Sequence, residues 1–333
     1  MCSFLANGAF YFSPRFDITR SLQSQKMRAI SADDPGIYDP DPKFQWNNNL
    51  LQVFNDYRVH MCSTSERQLF DNAGYAVSLI QGAVESYYAG RYPGSEVHLD
   101  NALMAVFLIS RSSSMRSGMR FLTRGVDDEG GVANEVETEV IVATKAITFS
   151  HVQVRGSIPV FWTQEGFQIG SHRVHITRSV KATLPATKRH FSDLLSRYKR
   201  VCAVNLLKQH SAHAEYSGAA AKNSSVAANG AGSSEADLGR FYKTMIDAMG
   251  LPRSLVAYEA FDYNGEVRGG HFDRVNTLIR QLNPLLSSYQ YYMESNESGT
   301  ILSIQGGVQR TNCIDCLDRT NVVQSVISRA VIG

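Results

Sequence analysis

Residues 310–321 read RTNCIDCLDRTN and lie between a predicted strand and a predicted helix. Cys313 and Arg319 give this segment the spacing Cys-x5-Arg, and Thr320 follows. A five-residue loop between a strand end and a helix N-terminus can turn its backbone N–H groups toward one point. Together with the helix dipole, those donors attract an anion of phosphate size. The segment therefore predicts an α/β fold with a strand–phosphate loop–helix site.

The side chains of this loop fit nucleophilic attack on phosphorus. A cysteine at the mouth of such a cradle has its thiolate stabilised, so the pKa of Cys313 should be low. The planar fork of Arg319 can bind two phosphate oxygens. We expect Cys313 to form a thiophosphate intermediate that water then releases, while the loop donors hold the charge that develops in the transition state.

Outside the loop, strand-like and helix-like segments alternate, as α/β proteins require. Short β-branched and aromatic runs predict strands at 104–110, 119–126, 136–144, 147–156, 201–207, 255–261 and 300–304. Apolar spacing and capping residues predict helices at 70–88, 186–199, from Asp237, from Phe272 to about Pro284, and at 320–331. Residues 211–236 have almost no large apolar side chains and are expected to form a flexible insertion.

The composition limits the partners and the compartment. A formal charge of +2 over 333 residues gives no overall attraction to nucleic acid, so no nucleic-acid partner is expected. Five cysteines are too few and too unevenly placed for a disulfide framework, which favours a reducing compartment. The sequence shows neither a signal peptide nor an apolar run of the ~18 residues that a membrane span needs, and we expect a soluble or peripheral protein.

The twelve-residue segment resembles the signature of the Sac-domain phosphoinositide phosphatases. Further segments resemble blocks of that family in the same order: residues 8–23, 43–47, 107–111, 118–139, 153–162 and 261–274. The resemblance implies that Cys313 is the nucleophile, that Arg319 binds phosphate, and that Asp315 and Asp318 do acid–base or structural work. We assign Cys313, Arg319 and Asp315 as catalytic. Substrate contacts are expected from Asn312, Ile314, Cys316, Leu317, Asp318, Thr320 and Arg268.

The same resemblance implies the architecture and the activity. It implies a mixed sheet flanked by helices, with residues 1–65 as part of a β-rich N-terminal subdomain and 66–333 as an incomplete catalytic domain. Similar proteins continue beyond both ends, so a truncated chain is expected. The implied reaction removes a phosphomonoester from phosphatidylinositol phosphates, with phosphatidylinositol 4-phosphate as the expected substrate. It needs no cofactor and would occur on the cytosolic face of endoplasmic reticulum or Golgi membranes.

Some residues leave the details open. Asn264 and Arg268 stand where many relatives carry His and Lys, so substrate positioning could differ. Arg124, Arg155 and Arg268 could line a cationic approach to the site.

Three other classes of protein remain open. The first is a catalytically silent phosphoinositide-binding module, and the second is a protein tyrosine phosphatase, which shares Cys-x5-Arg. The third is a redox or metal protein built on the Cys-x-x-Cys pair of Cys313 and Cys316. Cys316 could resolve an oxidised Cys313 by forming a disulfide. No second Cys/His pair at zinc-ligand spacing stands nearby in the sequence.

Overall fold

The computed structural model describes residues 9–14, 16–31, 40–61, 63–74, 76–91, 102–118, 123–165, 173–209 and 234–332. Its strands are β1 Phe10–Phe12, β2 Leu79–Arg91, β3 Ala102–Ser112, β4 Val136–Thr144, β5 Ile147–Arg155, β6 Trp162–Glu165, β7 Arg173–Ile176, β8 Val201–Asn205, β9 Val256–Ala260, β10 Tyr292–Ser295, β11 Ile301–Ser303 and β12 Val308–Asn312. Its helices are α1 Leu22–Ser31, α2 Asn48–Val59, α3 Thr64–Asn72, α4 Val180–Tyr198, α5 Glu235–Ala248, α6 Tyr263–Glu266, α7 Val275–Tyr289 and α8 Asp318–Ile332, with two short 3-10 turns at Arg268–Gly270 and Phe272–Arg274.

The first of two compact units comprises Met1–Met115, Val136–Val152 and Tyr291–Ile304. Its strands pair antiparallel: β1 with β2, β2 with β3, β3 with β4, and β10 with both β5 and β11. Four buried isoleucines form a core cluster on this sheet, namely Ile18, Ile80, Ile109 and Ile141. One face of the sheet therefore packs on apolar side chains, as an antiparallel sheet requires.

The second unit comprises Arg116–Glu135, Gln153–Gln290 and Gln305–Gly333. Here β12 pairs in parallel with the end of β5 and with β8, and β8 pairs in parallel with β9. All five residues of β12 are buried, as are all five of β8, which is the burial expected of central parallel strands. Helices α7 and α8 pack on this sheet with Leu278, Leu282, Val323 and Ile327 in the shared core. Ligands bind beyond the carboxyl ends of such strands, and the phosphate-loop sequence starts there.

The predicted fold class is confirmed, because the described strands pair in both directions and helices accompany them in each unit. The boundary expected at residues 65 and 66 stays a prediction. Of the insertion expected at 211–236, residues 211–233 lie outside the described residues. Its last three residues, 234–236, form the start of α5.

Two predictions of secondary structure are wrong or incomplete in the first half of the chain. The helix predicted at 70–88 is divided, because α3 ends at Asn72 and β2 begins at Leu79. Cross-strand pairing of β2 with β3 over nine positions outweighs the local helical spacing there. Of the strand predicted at 119–126, residues 119–122 lie outside the described part, and the rest turns back so that Val126 bridges to Val132.

Two helix limits also differ from the prediction. Helix α5 is capped by Ser234 rather than Asp237, and Asp237 completes a capping box by accepting a 2.7 Å hydrogen bond from the Ser234 amide. Helix α7 continues beyond Pro284 to Tyr289. Burial of Leu286 and Tyr289 in the core offsets the helix-breaking effect of the proline.

Candidate active site

Buried hydrogen bonds fix the strand end from which the candidate loop starts. The side-chain amide of Asn312 donates to Asn205 Oδ1 on the neighbouring strand β8 at 2.7 Å. Beneath it, Arg310 has no exposed surface and donates to the carbonyl of Ser157 and, at 3.3 Å, to Asn312 Oδ1. The Asn312 side chain, expected to touch substrate, is thus engaged in bracing the base of the loop.

The far end of the loop is fixed by the first turn of α8. The Thr320 hydroxyl donates to the Leu317 carbonyl at 2.8 Å, and the Asn321 amide donates to the same carbonyl at 2.8 Å. Thr320 is fully buried, so its side chain also supports the loop. Between the two ends, Cys316 adopts a φ of +55°, a left-handed conformation that turns the chain sharply.

Backbone donors of the loop converge on the sulfur of Cys313. The Cys316 amide donates to it at 3.1 Å, and the amides of Asp315 and Leu317 lie close enough to favour its charged form. The Cys316 side chain has the largest effect in lowering the Cys313 pKa, and its thiol donates to the Cys313 carbonyl oxygen at 3.4 Å. Together with the Arg319 charge and the loop amides, it outweighs burial and lowers the Cys313 pKa to about 6. Burial and the neighbouring Cys313 raise the pKa of Cys316. The pair therefore divides into one nucleophilic thiolate and one neutral thiol.

The guanidinium of Arg319 is close enough to the site to interact electrostatically with Cys313 and Asp315. Burial opposes its charge, but Glu235, Cys313 and Asp315 outweigh that effect and raise its pKa. Its Nη1 donates to Glu235 Oε1 at 2.7 Å. Burial also raises the pKa of the nearby Tyr263, and the charge of Arg319 opposes that rise. The predicted phosphate-binding cation thus holds a carboxylate through one of its five N–H donors.

The two loop aspartates occupy different environments. Asp315 accepts a 2.5 Å hydrogen bond from Nη2 of the buried Arg124. Asp318 is exposed in the first turn of α8, where a carboxylate interacts favourably with the helix dipole. Ile314 and Leu317 are half-buried within the loop.

The other two predicted cations also occupy different environments. Arg155 donates to Asn321 Oδ1 on α8, so it contacts the helix that follows the loop. Arg268 is exposed in a 3-10 turn and makes no hydrogen bond or ion pair with any residue that the structure describes. Its expected contact with substrate stays a prediction.

Residue spacing did not reveal two partners of the loop. Glu235 lies 84 positions before Arg319, within the segment 211–236 that was expected to be a flexible insertion, and nothing in the sequence marks it. Gln164 also binds Arg124, with its Oε1 accepting from Nη2 at 3.1 Å. Arg124 itself was one of three candidate cations, but its pairing with Asp315 spans 191 positions and has no local signal.

Metal-binding clusters and membrane-spanning helices are both absent from the described residues. No cluster of three or more His, Cys, Asp or Glu side chains there could hold a metal ion. No helix in the described part of the chain has the length and apolar character needed to cross a membrane.

Known proteins match almost the whole chain. Inositol-1,4,5-trisphosphate 5-phosphatase 1 of Schizosaccharomyces pombe is 35% identical over 328 residues, covering 98% of this chain and 27% of that protein. Polyphosphatidylinositol phosphatase INP53 of Saccharomyces cerevisiae is 36% identical over 332 residues, covering 98% and 26%. Phosphatidylinositol-3-phosphatase SAC1 of Drosophila melanogaster is 33% identical over 322 residues, covering 96% and 46%. The chain thus spans about a quarter to a half of the length of these curated relatives.

A family model agrees with these matches. The model described as the SacI homology domain matches residues 1–268, which is most of the 333-residue chain. Together, these similarities show that the chain belongs to the SacI homology domain family.

Proposed function

We propose that this chain is a phosphoric monoester hydrolase that removes phosphate from the inositol ring of a phosphatidylinositol phosphate through a cysteinyl-phosphate intermediate. The observation that carries the proposal is the convergence of loop amides on the Cys313 sulfur, which gives a thiol with a pKa of about 6. The relatives' names, which denote inositol phosphate and phosphatidylinositol phosphatases, support the substrate class.

In the first step the Cys313 thiolate attacks phosphorus. A sulfur–phosphorus bond forms, the bond from phosphorus to the inositol oxygen breaks, and that oxygen takes a proton as the alcohol leaves. The loop amides and Arg319 would hold the three remaining phosphoryl oxygens as charge develops on them. The source of the proton is a loop carboxyl group, for which Asp315 and Asp318 are the two candidates.

In the second step water attacks the phosphorus of the cysteinyl phosphate. The sulfur–phosphorus bond breaks, inorganic phosphate forms, and the Cys313 thiolate returns to its starting state. A thiol with a low pKa is a good leaving group at neutral pH, so the feature that favours attack also favours release. The carboxyl group that gave its proton in the first step would accept the proton of the attacking water, which restores its protonation state.

The substrate we propose is phosphatidylinositol 4-phosphate on the cytosolic face of endoplasmic reticulum or Golgi membranes. The support is the likeness of residues 310–325 to the family branch that acts there. Because two of the relatives are named for 5-phosphate and 3-phosphate chemistry, the position needs a direct test.

The test is phosphate release from a panel of phosphatidylinositol mono-, bis- and trisphosphates in vesicles. We expect turnover to be greatest on phosphatidylinositol 4-phosphate and lost in Cys313→Ser. Arg178→Gln is a matched control, because it removes an exposed Arg178–Asp128 ion pair in the same unit without touching the loop. Equal turnover by Cys313→Ser would refute the cysteine mechanism, and turnover of a phosphotyrosine peptide but not of lipid would favour a protein phosphatase.

A second candidate function, a silent phosphoinositide-binding module, is favoured by the Arg319–Glu235 ion pair. That pair occupies part of the guanidinium on which the reaction would depend. Vesicle binding without phosphate release would support the silent module. Phosphate release that requires Cys313 would exclude it.

A further inference from the structure

The guanidinium of Arg124 connects a distant turn to the phosphate loop. Its Nη2 lies 2.5 Å from Asp315 Oδ1, and among the described residues no other side chain hydrogen-bonds to that carboxylate. The next residue, Cys316, donates its backbone amide to the Cys313 sulfur at 3.1 Å. The carboxylate that Arg124 binds therefore belongs to the residue directly before the one that binds the sulfur.

The side chain of Arg124 is itself held in place by its surroundings. The residue is only 6% exposed, its guanidinium lies 5.8 Å from the ring centre of Trp162, and Gln164 accepts from the same nitrogen as Asp315 does. A buried, hydrogen-bonded guanidinium has little rotamer freedom left to lose when it binds a carboxylate.

The backbone at Arg124 is equally constrained. Gly125 has a φ of +68°, and a Cβ there would lie 2.5 Å from the Val160 carbonyl oxygen, so the turn requires glycine. Its amide donates to Ser157 Oγ at 2.9 Å, and the next amide, that of Val126, donates to Val160 at 3.1 Å. The turn that carries Arg124 is thus fastened to the chain that follows β5.

We propose that Arg124 is a positioning residue for the phosphate loop: by binding the Asp315 carboxylate, it holds the loop in the turn that brings the adjacent Cys316 amide to the sulfur of Cys313. This rests on the proposed role of Cys313 as the nucleophile. Arg124 acts through the loop rather than on the reacting atoms. Asp315 is also the carboxylate that balances the charge of the buried Arg124 guanidinium. A buried cation without such a partner is costly, so the contact should persist.

The charged and titratable groups around the sulfur decide how the proposal can be tested. Cys316 and Asp315 belong to the loop, Arg319 to α8, and Glu235 on α5 binds Arg319. Loss of Arg124 would raise the Cys313 pKa through lost positive charge alone, so an arginine variant is insufficient. Removal of the Asp315 carboxylate distinguishes the two explanations. If Asp315 acts only through its negative charge, its removal lowers the Cys313 pKa. If Asp315 positions the loop, its removal raises that pKa.

The experiment measures iodoacetamide alkylation of Cys313 against pH, by peptide mass spectrometry on the whole chain, and needs no phosphatase activity. We expect Arg124→Gln and Asp315→Ala each to raise the Cys313 pKa, and alkylation below pH 6 slows about tenfold when that pKa rises by one. Arg124→Lys should restore part of the rate because it keeps the charge. Arg178→Gln, which removes an exposed Arg–Asp pair elsewhere in the unit, should change nothing.

Each outcome decides the proposal. Faster alkylation in Asp315→Ala would overturn it, as would an unchanged Cys313 pKa in both variants. The double variant should add little to either single one, because both remove the same contact. Should Arg124→Gln fail to fold by circular dichroism, Asp315→Ala still distinguishes loss of positioning from loss of charge. Absence of lipid turnover in the unmodified chain would overturn the proposed function and leave the alkylation result standing.

Discussion

The backbone amide of Cys316 donates a 3.1 Å hydrogen bond to the sulfur of Cys313, and Cys316 reaches this position with a φ of +55°. A left-handed conformation at a non-glycine residue costs about 1–3 kcal/mol and persists only where the surroundings impose it. Here the strained residue is also the one whose amide donates to the sulfur and whose side chain has the largest effect in lowering the Cys313 pKa. The strain therefore coincides with the stabilisation of a thiolate.

The thiol of Cys316 should tune the reactivity of Cys313. Its hydrogen bond is the largest of the effects that lower the Cys313 pKa to about 6. We expect Cys316→Ala to raise the Cys313 pKa, and Cys316→Ser to raise it less because the hydroxyl can still donate. Alkylation of Cys313 against pH measures both variants. An equal rise in the two would show that the side-chain donor is irrelevant.

The pH dependence of turnover follows from the same pKa. A group whose pKa is lowered to about 6 is ionised above that pH, so the thiolate is lost as the pH falls through 6. We expect kcat/KM to be about half its plateau value at pH 6, to fall by about tenfold per pH unit well below pH 6, and to change little above pH 7 on account of the thiolate. An acidic limb near pH 8 or above would contradict the geometry of the loop.

Glu235 should compete with phosphate for Arg319. It accepts from Nη1 at 2.7 Å, and the two side chains are 18% and 19% exposed, so the pair is partly screened. We expect Glu235→Gln to bind vanadate more tightly by about two- to fivefold, in keeping with the ~0.5–1 kcal/mol of a partly exposed ion pair. Inhibition by vanadate measures this. Weaker vanadate inhibition in Glu235→Gln would instead show that Glu235 orients the guanidinium for the anion.

The buried cation of the first unit should be essential to its stability. Arg111 has no exposed side-chain surface and donates to Glu137 at 2.9 Å and to Glu139 at 2.6 Å. Arg111→Ala leaves two buried carboxylates without their partner and should lower the free energy of unfolding by about 3–5 kcal/mol. Hydrogen exchange of the β3 and β4 amides measures this.

The control lies in the same unit. Lys26→Ala removes a more exposed pair with Glu294 at 3.1 Å and should cost less than about 1 kcal/mol. If the loss in Arg111→Ala were no greater than in Lys26→Ala, the buried network would be unimportant.

The sequence predicted the helix after the loop because its signals are local: Cys313 and Arg319 stand six positions apart, and apolar spacing marks the helix that follows. The strand that leads into the loop, β12, was not predicted, because the strand expected at 300–304 corresponds to β11. The same local reasoning failed at 70–88, where apolar spacing suits a helix but pairing with β3 makes most of it a strand. Pairing between strands depends on residues that a local window does not include.

Contacts between distant residues explain what the sequence did not predict at the site. Arg124 and Asp315 are 191 positions apart, and Glu235 and Arg319 are 84 apart. Each meets its partner only because separate elements of the unit lead to one loop. An aspartate in a loop motif and a glutamate after a low-complexity segment look the same in sequence whether or not they bind an arginine.

The most direct test of the cysteine mechanism is acid quenching during turnover of phosphatidylinositol 4-phosphate, followed by mass spectrometry of the peptide that contains Cys313. We predict one phosphoryl group on the Cys313 sulfur in the unmodified chain and none in Cys313→Ser. Phosphate release at an undiminished rate with no phosphorylated Cys313 at any quench time, or release that continues in Cys313→Ser, would contradict it.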